Sequence, residues 1–170
     1  MSVNVKTKLT EDDMFRFNAY DAYHSARGWK VIILAVVVFI VAGATVGRVS
    51  AAYTCAYVIM GLFLLAYMPF TLKQSSAHAV RSNPILSEPL DYTFDDKGVT
   101  IHTEVDLGDE PNTDTFAWDL VYKVVRTKSN LLIYMNRTNA HVLPFRDITD
   151  VYPDIEKIIR ENVEEYKLKL

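Results

Sequence analysis

Two long uncharged apolar runs, joined by a Gly47-Arg48 turn, constrain this chain more than any other feature. Residues 31–47 and 49–72 contain no Asp, Glu, Lys, Arg or His. At about 1.5 Å per residue of helix, the runs reach roughly 25 and 36 Å. The hydrocarbon core of a bilayer is about 30 Å thick. The pair therefore predicts a transmembrane helical hairpin over residues 31–72.

A secretory signal peptide is the main alternative for the first run. Thirty residues that include four acids precede that run, and a second apolar run follows almost at once. Both features argue against a signal peptide. The lack of ionisable residues inside the runs also argues against a pump or transporter, because ion pathways need such groups at depth.

The cations that flank the hairpin predict its orientation. Arg27, Lys30, Lys73 and Arg81 lie near the ends that face the two termini, whereas the turn offers only Arg48. By the positive-inside rule, both termini are cytoplasmic and the protein is a multi-pass protein of the cell membrane.

Gly43 and Gly47 form a GxxxG spacing in the first run. Small residues at this spacing let another helix backbone approach closely. The second run is the most economical partner for this helix-packing surface, and a second copy of the chain is the alternative.

Net charge and cysteine content limit the functions open to the remainder of the chain. Residues 73–170 carry twelve Lys or Arg and seventeen Asp or Glu, a net charge of −5 within a total of −3. An acidic domain of this kind is a poor candidate for nucleic-acid binding, which requires clustered cations. The chain has one cysteine, Cys55, so it forms no internal disulfide.

The sequence divides into four segments. Residues 3–9 alternate apolar and polar side chains as a strand does. Thr10 then begins an aromatic helix, with Asp13 at the third position of a capping box, and we expect this helix to lie at the membrane interface. The predicted segments are 1–30 (strand and interfacial helix), 31–72 (hairpin), 73–87 (linker) and 88–170 (cytoplasmic domain).

In residues 88–170, apolar and polar side chains first alternate as they do in strands, and at the end they recur with the period of a helix. Residues 90–94 and 99–105 predict a β-hairpin in which Gly98 supplies a positive φ angle. We expect a loop over 107–114, further strands over 115–127, 131–136 and 141–145, and a helix over 152–170 with Tyr166 on its apolar face.

The predicted fold is α+β: a transmembrane hairpin plus a small antiparallel β-barrel or curled sheet closed by the C-terminal helix. Trp118 should be buried against that helix, near Ile155 and Ile159.

Several short patterns resemble the YcxB-like proteins of bacteria. They are DYTFDDKGV from Asp91, WDLVYKVV from Trp118, LLIY from Leu131 and VLPFR from Val142, together with KLTEDD from Lys8 and the two-span layout. The resemblance implies a C-terminal domain with a divergent pleckstrin-homology-like (PH-like) fold, and a bacterial inner membrane as the location. It implies no activity or catalytic residues, although fold relatives bind lipid headgroups, peptides or copies of themselves.

Catalytic and metal-binding patterns are missing from the sequence. The four histidines are scattered and lack the spacing of a zinc site. The acids Asp106, Asp109, Glu110 and Asp114, with Asn112, lack the ordered spacing of a calcium loop and are interpreted as a solvated loop. No nucleophile elbow or phosphate-binding loop occurs. We therefore expect neither an enzyme nor a cofactor.

One group of cations does suggest a ligand. Lys123, Arg126 and Lys128 lie on one predicted strand and its turn, with Arg137 and Arg146 on later elements. If they converge, they form a positive patch for anionic lipid headgroups; the alternative is scattered solvation of the strand faces. The predicted function is a membrane-bound binding or assembly module for lipid headgroups, protein or self-association. The alternative is a small auxiliary subunit of a larger membrane complex.

Overall fold

The computed structural model describes residues 2–24, 26–105 and 112–170. As predicted, these residues form a mixed α+β fold with two long apolar helices. The strands form two separate four-stranded sheets, which the sequence did not predict. The chain separates into two compact units. We call Asn18–Ser76 the helical unit, and Met1–Phe17 together with Ala77–Leu170 the sheet unit.

The helical unit contains the two apolar helices. Helix α1 (Glu11–His24) leads into α2 (Ala26–Thr45), and α3 (Ala51–Ser82) follows. Gly47 adopts a φ of +72° in the turn between α2 and α3, a conformation that glycine reaches without strain. The Thr45 and Thr54 hydroxyl oxygens lie 3.1 Å apart across this turn. The predicted turn at Gly47 is therefore present.

The glycine that packs inside the helix pair is not one of the two predicted from the sequence. A Cβ atom at Gly61 would lie 2.7 Å from the Phe39 ring, so the ring occupies the space that this glycine leaves. A Cβ at Gly43 would meet no atom within 4 Å. Within the helical unit, the two helices approach each other at Gly61. The packing of another helix against Gly43 and Gly47 stays a prediction.

Helix α3 ends at Ser82. Asn83 and Pro84 follow Ser82, and the residue before a proline is biased away from helical backbone. The Asn83 side chain then caps the short helix α4 (Pro84–Ser87) by accepting a hydrogen bond from the Ile85 amide at 3.0 Å.

The first sheet is antiparallel, with strand order β1-β2-β3-β4. Its strands are β1 (Val3–Thr7), β2 (Leu90–Phe94), β3 (Gly98–Thr103) and β4 (Thr113–Ala117). Strand β1 pairs with β2, with Val5 opposite Tyr92. Residues 1–17 thus share one compact unit with the strands of the predicted domain 88–170, a pairing that the sequence did not predict.

The second sheet has the strand order β7-β6-β5-β8. Its strands are β5 (Lys123–Arg126), β6 (Asn130–Tyr134), β7 (Ala140–Pro144) and β8 (Leu168–Lys169), the last of which runs parallel to β5. No strand pairing among residues 2–24, 26–105 and 112–170 joins the two sheets. The predicted closed barrel is therefore not found. The strand predicted over 115–127 is interrupted by a 3₁₀ turn, Trp118–Leu120, after which the chain enters the other sheet.

The core of the sheet unit lies where apolar side chains of both sheets meet the C-terminal helix. Short helix α5 (Phe145–Ile148) precedes α6 (Tyr152–Asn162), which buries Ile155, Ile158 and Ile159. Trp118 belongs to the same buried cluster, as predicted. The helix does not reach residue 170, because the backbone of Val163 is extended. Tyr166, predicted on its apolar face, is 78% exposed in a 3₁₀ turn.

Gly98 is needed for space and not for a positive φ angle. Gly47 is the one glycine with a positive φ in the described part of the chain. A Cβ at Gly98 would collide with the carbonyl oxygen of Phe116 on the adjacent strand. The β2–β3 turn is instead held by Asp95, whose carboxylate accepts hydrogen bonds from the amides of Lys97 and Gly98 at 2.8 and 2.9 Å.

Candidate anion-binding groove

The three predicted headgroup cations do not converge on one surface. Lys123 and Arg126 are three residues apart on β5, so their side chains leave opposite faces of the strand. The Lys123 ammonium lies 4.0 Å from the centre of the Tyr134 ring. The Arg126 guanidinium lies 5.3 and 4.8 Å from the rings of Phe145 and Tyr152. The structure therefore separates Lys123 from Arg126.

Two of the three cations do line a common surface. Arg126 and Lys128 border an open groove of 440 Å³ together with Lys169, and the other lining residues are Thr127, Phe145 and Leu170. None of these side chains is acidic. We call this surface the cationic groove and define it by Arg126, Lys128 and Lys169. An anion is the chemical species that such a surface favours.

Lys169 was not predicted as a site residue. It reaches the groove because β8 pairs in parallel with β5, with Val125 opposite Lys169. The sequence predicted a helix through residue 170, which gives Lys169 no fixed relation to Arg126. The two-residue strand β8 leaves too little periodicity for detection by pattern.

The turn that carries Lys128 is held by several hydrogen bonds. The Thr127 hydroxyl accepts a hydrogen bond from the Asn130 amide at 2.9 Å and donates one to the Asn130 carbonyl at 2.8 Å. The Arg16 guanidinium donates to the Ser129 hydroxyl at 2.5 Å. The Phe145 amide donates to the Ser129 carbonyl at 2.8 Å. The backbone on this side of the groove is thus preorganised, and only the long cationic side chains must be ordered on binding.

Stacking orients Arg126 and leaves it able to bind an anion. A guanidinium that lies over aromatic faces retains its in-plane donors for a carboxylate or phosphate. Arg126 also acts on Glu156, whose pKa is lowered mainly by the hydrogen bond from Arg160 and to a smaller extent by Arg126. The side chain of Glu156 is bound by Arg160 at 2.7 and 2.8 Å, so it neutralises Arg126 only in part.

The predictions about metal sites and the acidic loop can be compared with the structure only in part, because some of the loop lies outside the described residues. Among residues 2–24, 26–105 and 112–170, no three His, Cys, Asp or Glu side chains are grouped to hold a metal ion. Of the predicted acidic loop, Asp106, Asp109 and Glu110 lie outside the described residues. Asp114 lies on β4. That the protein has no enzymatic activity remains a prediction.

The comparisons with known proteins identify a family for the central part of the sheet unit. Residues 94–159 match the model of the YcxB-like protein family. The matched stretch contains Arg126 and Lys128 and leaves out β1 and Lys169. No curated protein and no solved structure matches the chain.

Proposed function

We propose that this chain, whose residues 94–159 match the YcxB-like family, is a two-span membrane protein whose sheet unit binds anionic lipid headgroups. The observation that carries the proposal is the cationic groove of Arg126, Lys128 and Lys169 on an otherwise acidic unit. The sheet unit is interpreted as an open, PH-like binding module. Its function is binding and not catalysis.

The apolar helices support the membrane location. The most apolar 18-residue windows of Gly28–Thr45 and Ala51–Ser82 have mean hydropathies of 2.2 and 1.9, and only 22% and 6% of the residues in these windows are buried. The core helix of a soluble protein would be mostly buried, whereas these apolar side chains are exposed and need an apolar solvent. Helix α2 has 20 residues and α3 has 32, so they measure about 30 and 48 Å, enough to cross the hydrocarbon core.

The orientation proposal places both termini in the cytoplasm of a bacterium, with the hairpin in the inner membrane. A reporter enzyme that folds only outside the cytoplasm should be inactive when fused after Leu170. The same reporter inserted at Arg48 should be active, because the turn would face outward. Strong activity from the fusion after Leu170 would contradict the proposed topology.

The covalent tether keeps the groove within reach of the membrane. Arg16 contacts the turn that carries Lys128, and eleven residues lie between Arg16 and Gly28, where the first apolar segment begins. Even a fully extended chain of that length spans only about 40 Å. Since the tether already restricts diffusion, the groove needs only to orient the sheet unit and not to recruit it.

The charges of the groove are strong enough for that task. A cation near an anionic leaflet contributes about 1 kcal/mol, so three contribute about 3 kcal/mol at low salt. This attraction competes with the net charge of −5 carried by residues 73–170. It decreases as salt screens the charges. The groove therefore predicts a salt-dependent orientation of a tethered unit.

The test uses the full chain, because removing residues 1–17 would delete β1 from the first sheet. The protein is reconstituted in nanodiscs with and without phosphatidylglycerol, and backbone hydrogen exchange of residues 123–130 is measured at low and high salt. We expect slower exchange with phosphatidylglycerol at low salt only. Replacing Arg126, Lys128 and Lys169 by serine should remove the difference.

A matched control has the same net charge but leaves the groove intact. Lys97, Arg137 and Lys157 are exposed cations that do not line the groove. Their replacement by serine should leave the lipid-dependent protection unchanged. Equal loss of protection in both triple variants would indicate a response to net charge and would contradict a headgroup site.

A second candidate function is that of an auxiliary subunit in a larger membrane complex. The observation that favours it is the open space at Gly43, which would accept a helix of a partner protein. Purification in mild detergent followed by mass spectrometry distinguishes the two functions. A stoichiometric foreign partner would support the subunit, whereas a homogeneous protein with bound anionic lipid would support the headgroup-binding module.

A further inference from the structure

A separate cavity of 220 Å³ lies within the sheet unit, apart from the cationic groove. Both sheets line it, together with Leu9, the first turns of α1 and the short helix α4. Most of its wall is apolar and is formed by Leu9, Met14, Ile85, Leu90, Tyr92 and Val142. An apolar cavity of about 150 Å³ is known to hold benzene. A cavity of 220 Å³ has room for a phenyl ring with a short arm.

The polar part of the cavity carries Asp114 and His141. The His141 ring stacks on Phe116 at 5.1 Å between centroids and meets the Tyr92 ring edge-on at 6.2 Å, so its orientation is fixed. Burial lowers the pKa of His141, and the neighbouring Asp114 opposes this shift only in part. At neutral pH the imidazole is therefore uncharged and available as a hydrogen-bond acceptor or donor.

Charge distinguishes the ligands that this cavity accepts. Asp114 is an exposed carboxylate at the cavity, and no Lys or Arg is among the lining residues that the structure describes. The Thr103 amide is already used, because it donates to the Asn112 carbonyl at 2.9 Å, and the Thr103 hydroxyl accepts a hydrogen bond from the Val105 amide at 3.2 Å. A ligand with a cationic, hydrogen-bond-donating head complements Asp114 and His141, whereas a carboxylate would be repelled.

We propose that this cavity is a binding site for a small primary amine with an aromatic or branched aliphatic body. The body of about eight to ten heavy atoms fills the apolar part of the cavity. The ammonium group faces Asp114 and donates a hydrogen bond to the neutral imidazole of His141. The site is independent of the cationic groove, and either proposal can fail without the other.

The probes are phenethylamine and 3-phenylpropionate, which share a phenyl ring on a two-carbon arm and carry opposite charges. The full chain is placed in phosphatidylcholine nanodiscs, and binding is followed by ligand-detected NMR, with empty nanodiscs to subtract partitioning into lipid. We expect saturable binding of phenethylamine and binding of 3-phenylpropionate that is weaker by about tenfold or more. Equal binding of the two probes would overturn the proposal.

Two substitutions locate the bound amine. Asp114→Asn should weaken phenethylamine binding by about three- to fivefold, which is the usual contribution of a partly exposed ion pair. Ala140→Phe places a ring at a residue that lines the cavity and should abolish binding. Asp119→Asn is the matched control, because Asp119 is exposed in the 3₁₀ turn and does not line the cavity.

The outcomes are separable from a loss of folding. Asp114 is exposed, so Asp114→Asn should keep the hydrogen-exchange pattern of the sheet unit even where Ala140→Phe does not. Unchanged affinity in Asp114→Asn would overturn the proposal, as would equal effects of Asp114→Asn and Asp119→Asn. An Asp114-dependent preference for the amine would support it.

Discussion

Replacing Trp118 by alanine is expected to lower the free energy of unfolding of the sheet unit by about 3 to 5 kcal/mol. The indole is 5% exposed and lies in the buried cluster that contains Ile155 and Ile159. Its ring stacks on Phe94 with centroids 6.5 Å apart, and its N–H donates to the Asp95 carbonyl at 2.8 Å. Alanine leaves a large cavity and removes the donor. Urea unfolding monitored by hydrogen exchange in nanodiscs measures the loss.

Two further substitutions separate the parts of this effect. Trp118→Phe keeps an aromatic ring in the core and loses the hydrogen bond, so it should cost less, about 1 to 2 kcal/mol. Trp29→Ala removes an indole that is 59% exposed in the helical unit, and the sheet unit should retain its stability. Wild-type stability of Trp118→Ala would show that Trp118 is not a core residue of the sheet unit.

The burial of Trp118 was predictable because it depends on local pattern. An aromatic residue within a β-patterned run needs an apolar partner, and the isoleucines of α6 recur at helical spacing. The same logic located β1, β2, β3, β6 and β7, where alternation or apolar runs are bounded by turn residues. The first turn of α1 was also predictable, because Thr10 and Asp13 form the predicted capping box with a 2.9 Å bond from the Thr10 amide.

Strand partners could not be predicted from the same patterns. Alternation tells which face of a strand is buried and does not tell which strand lies beside it. Strand β1 pairs with β2 although the two apolar helices lie between them in sequence. The run 115–127 keeps a β pattern through Trp118, yet the chain changes sheets there through a 3₁₀ turn. The point at which a chain passes from one sheet to the other depends on how both sheets pack. The local spacing of apolar residues does not contain that information.

The cationic groove was predicted only in part, because residues that are distant in sequence also contribute to it. Arg126 and Lys128 were identified because they are neighbours in sequence, and they do share a groove. Lys123 was grouped with them, although the two-residue period of a strand places residues 123 and 126 on opposite faces. Lys169 was missed because its position depends on the parallel pairing of β8 with β5. The apolar cavity was also missed, because its lining comes from segments far apart in sequence.

Asp13→Ala should destabilise the sheet unit by about 3 kcal/mol, the second largest effect that we expect. The carboxylate side chain is only 7% exposed. One oxygen accepts hydrogen bonds from the Thr10 amide at 2.9 Å and the Thr10 hydroxyl at 2.6 Å, and the other accepts one from Arg146 at 2.8 Å. Alanine removes the Asp13 half of the capping box and leaves these donors without their acceptor, whereas the hydrogen bond from the residue-13 amide to the Thr10 hydroxyl can remain. Urea unfolding of the full chain in nanodiscs measures the change.

The exposed neighbour Asp12 provides the matched control, because it lies in the same helical turn and carries the same charge. Asp12→Ala should cost no more than about 0.5 kcal/mol, the size of a surface charge effect at a helix N-terminus. A double-mutant cycle with Arg146→Ala isolates the ion pair. Since Arg146 is 46% exposed, we expect a coupling of only about 1 kcal/mol, with the remainder of the loss due to the two lost hydrogen bonds from Thr10.

The position of Asp13 explains why this one carboxylate should matter to the whole sheet unit. Arg146 also donates to the Lys8 carbonyl at 2.7 Å, so a single guanidinium holds the end of β1 and the start of α1 beside α5. Asn130 of β6 donates to the Asp13 carbonyl at 3.4 Å. Loss of the carboxylate should therefore increase hydrogen exchange in β1 before it affects β6. Equal stability of Asp13→Ala and Asp12→Ala would show instead that residues 1–17 are held by the β1–β2 pairing alone.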